Sequence, residues 1–109
     1  FILTQNSARL YIQFAATVTA GQLIKITAAG KADLGVAGNV IGWAPAAVAI
    51  NDYGEVRLLG LDTAIAGLTP GVTYYASAGT PGAITAAVTA QSIGFAISAS
   101  QLFFNPRYS

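Results

Sequence analysis

The stretch PGVTYYASAGTPG, residues 70–82, is the part of the chain that most directly predicts its fold. Its side chains alternate between two faces, with Val72, Tyr74 and Ala76 on one and Thr73, Tyr75 and Ser77 on the other. A period of two is typical of a β-strand, and Pro-Gly pairs are typical of turns. The stretch therefore predicts a short strand bounded by tight turns at 70–71 and 81–82.

The same alternation recurs along most of the chain. It is found in LYIQF (10–14), QLIKIT (22–27), EVRLLG (55–60), SIGFAIS (92–98) and QLFF (101–104). In SIGFAIS it places Ile93, Phe95 and Ile97 on one face. Because short strands separated by Gly- and Pro-rich turns are typical of a sandwich or barrel, we expect a small all-β domain of short antiparallel strands.

An internal repeat relates the two halves of the chain. AGQLIKITAAGKADL (20–34) aligns with PGVTYYASAGTPGAI (70–84), and NVIGWAPAA (39–47) aligns with QSIGFAISA (91–99). The offset is 50 residues in the first pair and 52 in the second. Trp43 and Phe95 fall on equivalent positions, which predicts that both pack in the core.

The repeat also predicts the domain organisation. We expect a single β-domain over 18–109, built from two pseudo-repeats at about 18–61 and 67–106. Residues 1–17 precede the first repeat and are expected to form an extended N-terminal arm and a first strand. A chain of 109 residues is long enough for one core.

Composition excludes several classes of partner. Charged residues make up 8% of the chain, the net charge is +1, and no Lys, Arg, Asp or Glu occurs between residues 63 and 106. This predicts no nucleic-acid partner and no membrane-surface patch, because both need clustered basic residues. The apolar run 34–50 is shorter than a membrane-spanning helix and contains Pro45 and three glycines, so we expect no membrane span.

The inventory of catalytic side chains is short. The chain has neither His nor Cys, and its acids are Asp33, Asp52, Glu55 and Asp62. NDYGE (51–55) is open to interpretation as a calcium loop or as a tight turn, and the turn is favoured because the repeated oxygen ligands of a calcium loop are missing. We therefore expect no enzyme activity, no catalytic residues, no cofactor and no metal site.

Two segments are candidates for binding a partner. Tyr74 is expected in the core and Tyr75 on the surface, where it would serve as an interface anchor, a sugar-stacking platform or an ordinary surface residue. The segment FILTQNSARLYIQF (1–14) either adds a strand to a partner's sheet edge or packs on its own domain. The residues predicted to form interfaces are Phe1, Ile2, Leu3, Leu10, Tyr11, Ile12, Tyr75 and Phe103.

The motifs VTAGQLIKITAAGKADL, GNVIGWAPAA, GEVRLLGL, AGLTPGVTYYASAGTPGAIT and QSIGFAISASQLFFNP together resemble the small capsid decoration, or cement, proteins of tailed bacteriophages. The resemblance covers about residues 18–106. It implies a β-barrel or β-tulip domain, commonly a homotrimer, bound to the major capsid protein on the outer surface of the virion head. There it would stabilise the shell against the pressure of packaged DNA.

The resemblance carries no catalytic residues, and the charge-free second half departs from more charged members of the family. Similar sequence motifs also occur in repeats of phage tail-fibre proteins. A tail-fibre or tail-tip domain that binds a host glycan is therefore the alternative function. Permanent association with copies of itself would explain why so few charges face water, because obligate interfaces are apolar and depleted in charge.

Overall fold

A computed structural model describes residues 9–105 of the chain, and this part contains ten strands and no helix. The strands are β1 (Arg9–Gln13), β2 (Leu23–Ile26), β3 (Ala32–Leu34), β4 (Gly42–Trp43), β5 (Tyr53–Arg57), β6 (Gly60–Asp62), β7 (Thr73–Ala76), β8 (Ile84–Thr85), β9 (Ser92–Ser98) and β10 (Gln101–Phe104). The prediction of an all-β chain is confirmed.

The strands form two antiparallel five-stranded sheets with the same internal order. The first sheet runs β1-β5-β4-β2-β3, and the second runs β6-β10-β9-β7-β8. Adding five to each strand number of the first sheet gives the second. Each half of the chain therefore builds the same sheet, as the internal repeat predicts.

Backbone hydrogen bonds reproduce the sequence offsets. The N–H of Gly21 donates to the carbonyl of Ala44 over 2.7 Å, and the N–H of Gly71 donates to that of Ala96 over 2.8 Å. The donors are 50 residues apart and the acceptors 52, as in the alignment. Both glycines have positive φ angles, 90° and 82°, in the left-handed region that glycine adopts without a steric cost.

The glycine of the Ile-Gly-aromatic-Ala motif has the same role in both sheets. A Cβ atom on Gly42 would overlap the carbonyl oxygen of Arg57 on the neighbouring strand, and one on Gly94 would overlap that of Phe103. Only glycine lets the two backbones approach this closely. The motif therefore specifies how the fourth strand of each repeat packs beside the fifth.

The first strand packs on its own domain, which is one of the two placements that the sequence leaves open for residues 1–14. β1 pairs with β5 of its own chain, with Leu10 opposite Val56 and Tyr11 opposite Glu55. The strand at the same place in the second sheet is β6, which pairs with β10. The predicted division of the chain at residue 18 stays a prediction.

One of the two core clusters is formed by residues of the first sheet and its adjoining loops. It consists of Phe14, Val18, Ile24, Ala32, Ala44 and Val56, all at most 1% exposed. A single parallel bridge between Phe14 and Ala32 brings the two edges of this sheet together. Within residues 9–105 no continuous strand pairing closes either sheet, so the predicted barrel stays a prediction.

The other core cluster packs between the second sheet and the first and contains residues of both repeats. Its buried members are Leu23, Val40 and Trp43 from the first repeat and Leu68, Tyr74, Ala76, Ile93, Ala96, Leu102 and Phe104 from the second. Trp43 contacts Phe104, with ring centroids 4.6 Å apart and a tilt of 50°. One face of the first sheet is thus covered by the second repeat.

Gln91 is a polar link between the repeats within this apolar contact. Its side-chain Oε1 accepts hydrogen bonds from the N–H groups of Gly38 and Val40, and its Nε2 donates to the carbonyl of Val40 over 2.7 Å. Gln91 is 1% exposed. A buried amide with three partners satisfies the rule that buried polar groups are hydrogen-bonded, and it fixes loop 36–40 to the second sheet.

Candidate binding surface

The solvent-facing side of the second sheet, called the outer face below, carries large exposed apolar side chains. Tyr74, Ala76, Ala96 and Leu102 point to the core, so their strand neighbours point outward. The outer face consists of Leu61, Thr73, Tyr75, Phe95, Ile97 and Phe103. Phe95 is 46% exposed and Ile97 50%.

Two phenylalanine rings meet at the centre of the outer face. Phe95 on β9 lies directly opposite Phe103 on β10, and the ring centroids are 5.6 Å apart with a tilt of 41°. Tilted contacts at this distance are favourable for aromatic pairs. The two strands therefore hold a preformed aromatic platform at the surface.

A β-bulge places Phe95 on the surface. Tyr74 pairs with Gly94 but Tyr75 pairs with Ser92, so Ile93 is an extra residue on β9. The bulge turns Ile93 into the core and leaves Phe95 and Ile97 outside. The prediction that these three side chains share one face is wrong, as is the prediction that Phe95 packs in the core; Trp43 does pack there.

A cleft of about 220 Å³ opens beside the phenylalanine pair. It is lined by Thr73, Ser92, Gly94, Phe95, Phe103 and Asn105. The polar side chains of Thr73, Ser92 and Asn105 make no hydrogen bond to another residue of the described range 9–105. The cleft therefore combines an aromatic wall with three hydroxyl or amide groups that are available to a ligand.

No charged residue in the described part of the chain lines this cleft. The charged side chains of residues 9–105 belong to the first repeat or to β6, and Glu55 forms ion pairs there with Arg57 at 2.6 Å and Arg9 at 3.6 Å. Asp62 on β6 is buried. The outer face is consequently neutral, as expected from the charge-free stretch from 63 to 106.

The first repeat shows how the equivalent surface is used elsewhere in the molecule. Strand pairing makes Leu23 equivalent to Thr73 and Trp43 equivalent to Phe95, because Leu23 pairs with Trp43 and Thr73 pairs with Phe95. Leu23 and Trp43 are buried under the second repeat, whereas Thr73 and Phe95 are exposed. The surface that is closed in the first sheet is open in the second.

The sequence-predicted interface residues fall in separate places. Leu10 and Tyr11 are exposed on β1, and Tyr11 stacks on Tyr53 at 6.3 Å, while Ile12 is half-buried against the first core cluster. Tyr75 and Phe103 are half-buried on the outer face of the second sheet. Phe1, Ile2 and Leu3 lie outside the described residues. Of the predicted residues that the structure describes, Tyr75 and Phe103 share the outer face, on strands separated by β9, and the others lie on β1.

Sequence reasoning missed Phe95 as a surface residue because its alignment with Trp43 indicates a core position. A signal was nevertheless present in the repeat itself. Thr73 and Ser92 stand where the first repeat has Leu23 and Val40, both fully buried. Replacement of two core aliphatics by hydroxyl residues indicates that this face of the second repeat is not covered in the same way.

A second recess, of about 250 Å³, lies where the two sheets join. Its lining includes Trp43, Arg57, Asp62 and Thr63. The Oδ1 of Asp62 accepts a hydrogen bond from the N–H of Ala64 over 2.9 Å, whereas its buried Oδ2 has no partner within residues 9–105. Burial raises the pKa of Asp62, and the Ala64 hydrogen bond and the charge of Arg57 offset this only in part.

The part of the chain that the structure describes has no cluster of three acidic, His or Cys side chains that would hold a metal ion, and no helix that would span a membrane. Asn51, with a φ of 71°, lies in a tight turn that is closed by a hydrogen bond from the N–H of Asp52 to the carbonyl of Ala49. Residues 53–55 already belong to β5, so NDYGE joins the end of a turn to the start of a strand. Comparison with protein-family models, with characterised proteins and with solved structures finds no match for this chain.

Proposed function

We propose that this chain is a structural virion protein that associates with copies of itself and cements the outer surface of a phage capsid. The observation that carries the proposal is the neutral second repeat, whose exposed apolar side chains include Val88 at 80% exposure and Ile97 at 50%. Exposed apolar surface of this kind commonly marks a site of protein association. The resemblance of the repeat motifs to capsid decoration proteins supplies the biological setting.

Self-association is tested with the isolated protein. Sedimentation velocity should give a homotrimer, and the Val88→Glu and Ile97→Glu variants should dissociate because a charge buried in an apolar contact is unfavourable. Ile50, 53% exposed in the first repeat, provides a matched control, and Ile50→Glu should leave the oligomer unchanged. A wild-type protein that is monomeric both in solution and on the virion would contradict the proposal.

The cement function is tested by copy number. Quantitative mass spectrometry of purified virions that contain this chain should find it in numbers comparable with the major capsid protein, because a cement protein occupies equivalent sites over the whole lattice. A few copies per particle, located on the tail, would overturn the cement function.

Attachment to the capsid is proposed to involve residues 1–8, whose sequence FILTQNSA has no charged side chain and begins with the apolar Phe1, Ile2 and Leu3. An extended segment binds a partner by adding a strand to an exposed sheet edge. Deletion of residues 1–8 should leave the trimer intact and abolish capsid binding. Full capsid occupancy by the truncated protein would show that these residues are not the attachment arm.

A second candidate function is a tail-fibre or tail-tip module that binds a host glycan. The specific observation in its favour is the neutral cleft beside Phe95 and Phe103, with its aromatic wall and its hydroxyl and amide groups. Low copy number on the tail would favour this candidate over the cement function.

A further inference from the structure

We infer that the cleft between Phe95, Phe103 and Gly94 is a binding site for one ring of a neutral sugar. The inference deepens the second candidate function, on which it rests, by naming the site and the chemical class of its ligand.

The size and wall of the cleft fit a pyranose. A volume of about 220 Å³ is sufficient for a ring of hexose size. Phe95 and Phe103 form an apolar wall, and the C–H face of a pyranose is the apolar side of an otherwise polar molecule. Ligand sites typically combine such apolar walls with a few polar groups that orient the ligand.

The polar groups of the cleft select a hydroxylated ligand. Thr73 and Ser92 each supply a hydroxyl that both donates and accepts, and Asn105 supplies an amide with both capacities. An apolar ligand would bury these groups without partners, which is unfavourable. A sugar hydroxyl pairs with each of them.

Charge excludes the other small polar ligands. Within residues 9–105 no charged side chain lines the cleft, and Phe103 stands where the first repeat has Arg57. A phosphate or carboxylate ligand would therefore find no counter-charge in this part of the chain. The ligand that fits the wall, the polar groups and the neutrality is an uncharged sugar.

The internal repeat distinguishes a sugar site from a second protein contact. In the first repeat, the positions equivalent to Thr73, Ser92 and Phe95 contact the second repeat. They are occupied by the buried apolar residues Leu23, Val40 and Trp43. The second repeat keeps an aromatic residue, Phe95, but has Thr73 and Ser92 in place of the aliphatics. Retaining the ring while replacing the aliphatics by hydroxyls is the change that converts a dry contact surface into a site for a hydroxylated ligand.

The backbone of the cleft is fixed before any ligand arrives. Gly94 has a φ of 151° in the bulge, and a Cβ there would overlap the carbonyl oxygen of Phe103. The bulge and the paired strands therefore fix the backbone that carries Phe95, Phe103 and Ser92. A preorganised site loses little entropy on binding.

The test uses the isolated ¹⁵N-labelled protein and four neutral probes: D-glucose, D-galactose, D-mannose and N-acetyl-D-glucosamine. Titration to about 50 mM covers the millimolar affinity expected for a single ring. At least one probe should shift the amide signals of residues 73, 92–95 and 103–105 and should show saturation transfer to its ring protons. No binding by any probe, or shifts confined to other residues, would overturn the inference.

Two variants separate stacking from hydrogen bonding. Phe95→Leu keeps an apolar surface but removes the ring, and it should weaken binding at least tenfold. Ser92→Ala removes one hydroxyl and should weaken it about fivefold, the effect of one net hydrogen bond. The control Ile50→Leu, at an exposed position in the first repeat, should bind as the wild type does.

If no sugar binds, the oligomeric state of the Phe95→Leu variant shows whether the cleft is a protein contact. Sedimentation of Phe95→Leu should match the wild type, because the inference gives Phe95 to a ligand and not to a second copy. Dissociation of the oligomer in Phe95→Leu, together with the absence of sugar binding, would assign the cleft to protein contact. Because the copy number on the virion is measured independently, failure of the sugar site and failure of the tail-fibre function are distinguishable.

Discussion

Asp62 is the residue whose ionisation the fold constrains most clearly. One oxygen of its carboxyl group is buried without a partner, and burial raises the pKa of Asp62 above the ordinary value of an aspartate. The native state therefore holds this proton more tightly than the unfolded state does. Stability from this group is present below the ordinary pKa and is lost as the pH rises through the raised pKa.

The Asp62→Asn variant should therefore be more stable than the wild type at pH 7. We expect a gain of about 1 kcal/mol or more in the free energy of unfolding, because an unpaired buried charge is replaced by a neutral amide. The gain should disappear in acid, where the carboxyl is already neutral. Urea unfolding at both pH values measures it, and Asp52→Asn on the exposed turn is the control with no expected effect.

Tyr74 and Tyr75 are adjacent residues with different surroundings, and the sequence-based assignment of Tyr74 to the core is confirmed. Tyr74 is 8% exposed, and its hydroxyl accepts a hydrogen bond from the N–H of Thr69. Tyr74→Ala should cost about 3–5 kcal/mol, as for other buried aromatics. Tyr75→Ala should cost less than about 1 kcal/mol. A larger loss for Tyr75 in thermal unfolding would mean that the strand register is shifted by one residue.

At the scale of elements, Gln91 joins loop 36–40 to the start of β9. Gln91→Leu keeps the size of the side chain but leaves the buried N–H and carbonyl of Val40 without partners, together with the N–H of the exposed Gly38. We expect a loss of about 2–4 kcal/mol in the free energy of unfolding, because each unsatisfied buried group costs about 1–3 kcal/mol and the loop relaxes in part.

Gln13 provides the matched control for this prediction. Its Nε2 donates a single hydrogen bond, to the exposed carbonyl of Asn51. Gln13→Leu should change stability by less than about 0.5 kcal/mol, because water replaces that bond. Equal losses in the two variants would mean that Gln91 acts through side-chain volume and not through its hydrogen bonds.

The strands themselves were predictable because alternation and turn residues are local signals. The offsets of 50 and 52 residues gave the duplication, which the matching bonds of Gly21 and Gly71 bear out. The equivalence of β1 and β6 was not predictable, because RLYIQ and GLD share no pattern. The bulge at Ile93 was also hidden, since the alternation of SIGFAIS continues unbroken and only the pairing with β7 interrupts it.

The candidate site was harder to predict than the fold. Tyr75 and Phe103 are half-buried on the outer face and their role as interface residues stays a prediction. The cleft depends on the bulge that leaves Phe95 outside and on Asn105 beyond the last strand. Each of these is a tertiary feature. Sequence alone indicated only that the second repeat has hydroxyl residues where the first has aliphatic ones.

At the scale of the whole molecule, the two repeats are alike in topology and different in surface. The first carries the exposed charges, and the second carries the neutral outer face. One face of the first sheet is covered by the second repeat and forms part of the core. The equivalent face of the second sheet is the outer face, which nothing in the described residues covers. A duplicated module thus acquires a free face without any change in strand order.

The contact between the repeats also contains its own optical reporter. Trp43 is the only tryptophan in the chain, and it is 1% exposed against Phe104 of the other repeat. Its fluorescence should move to longer wavelength when the sheets separate, whereas far-UV circular dichroism follows the strands. In guanidinium chloride the two transitions should coincide, since a core that includes residues of both repeats should unfold as one unit. An earlier fluorescence transition would instead show the repeats parting while each sheet remains folded, so this single indole distinguishes one cooperative domain from two tethered ones.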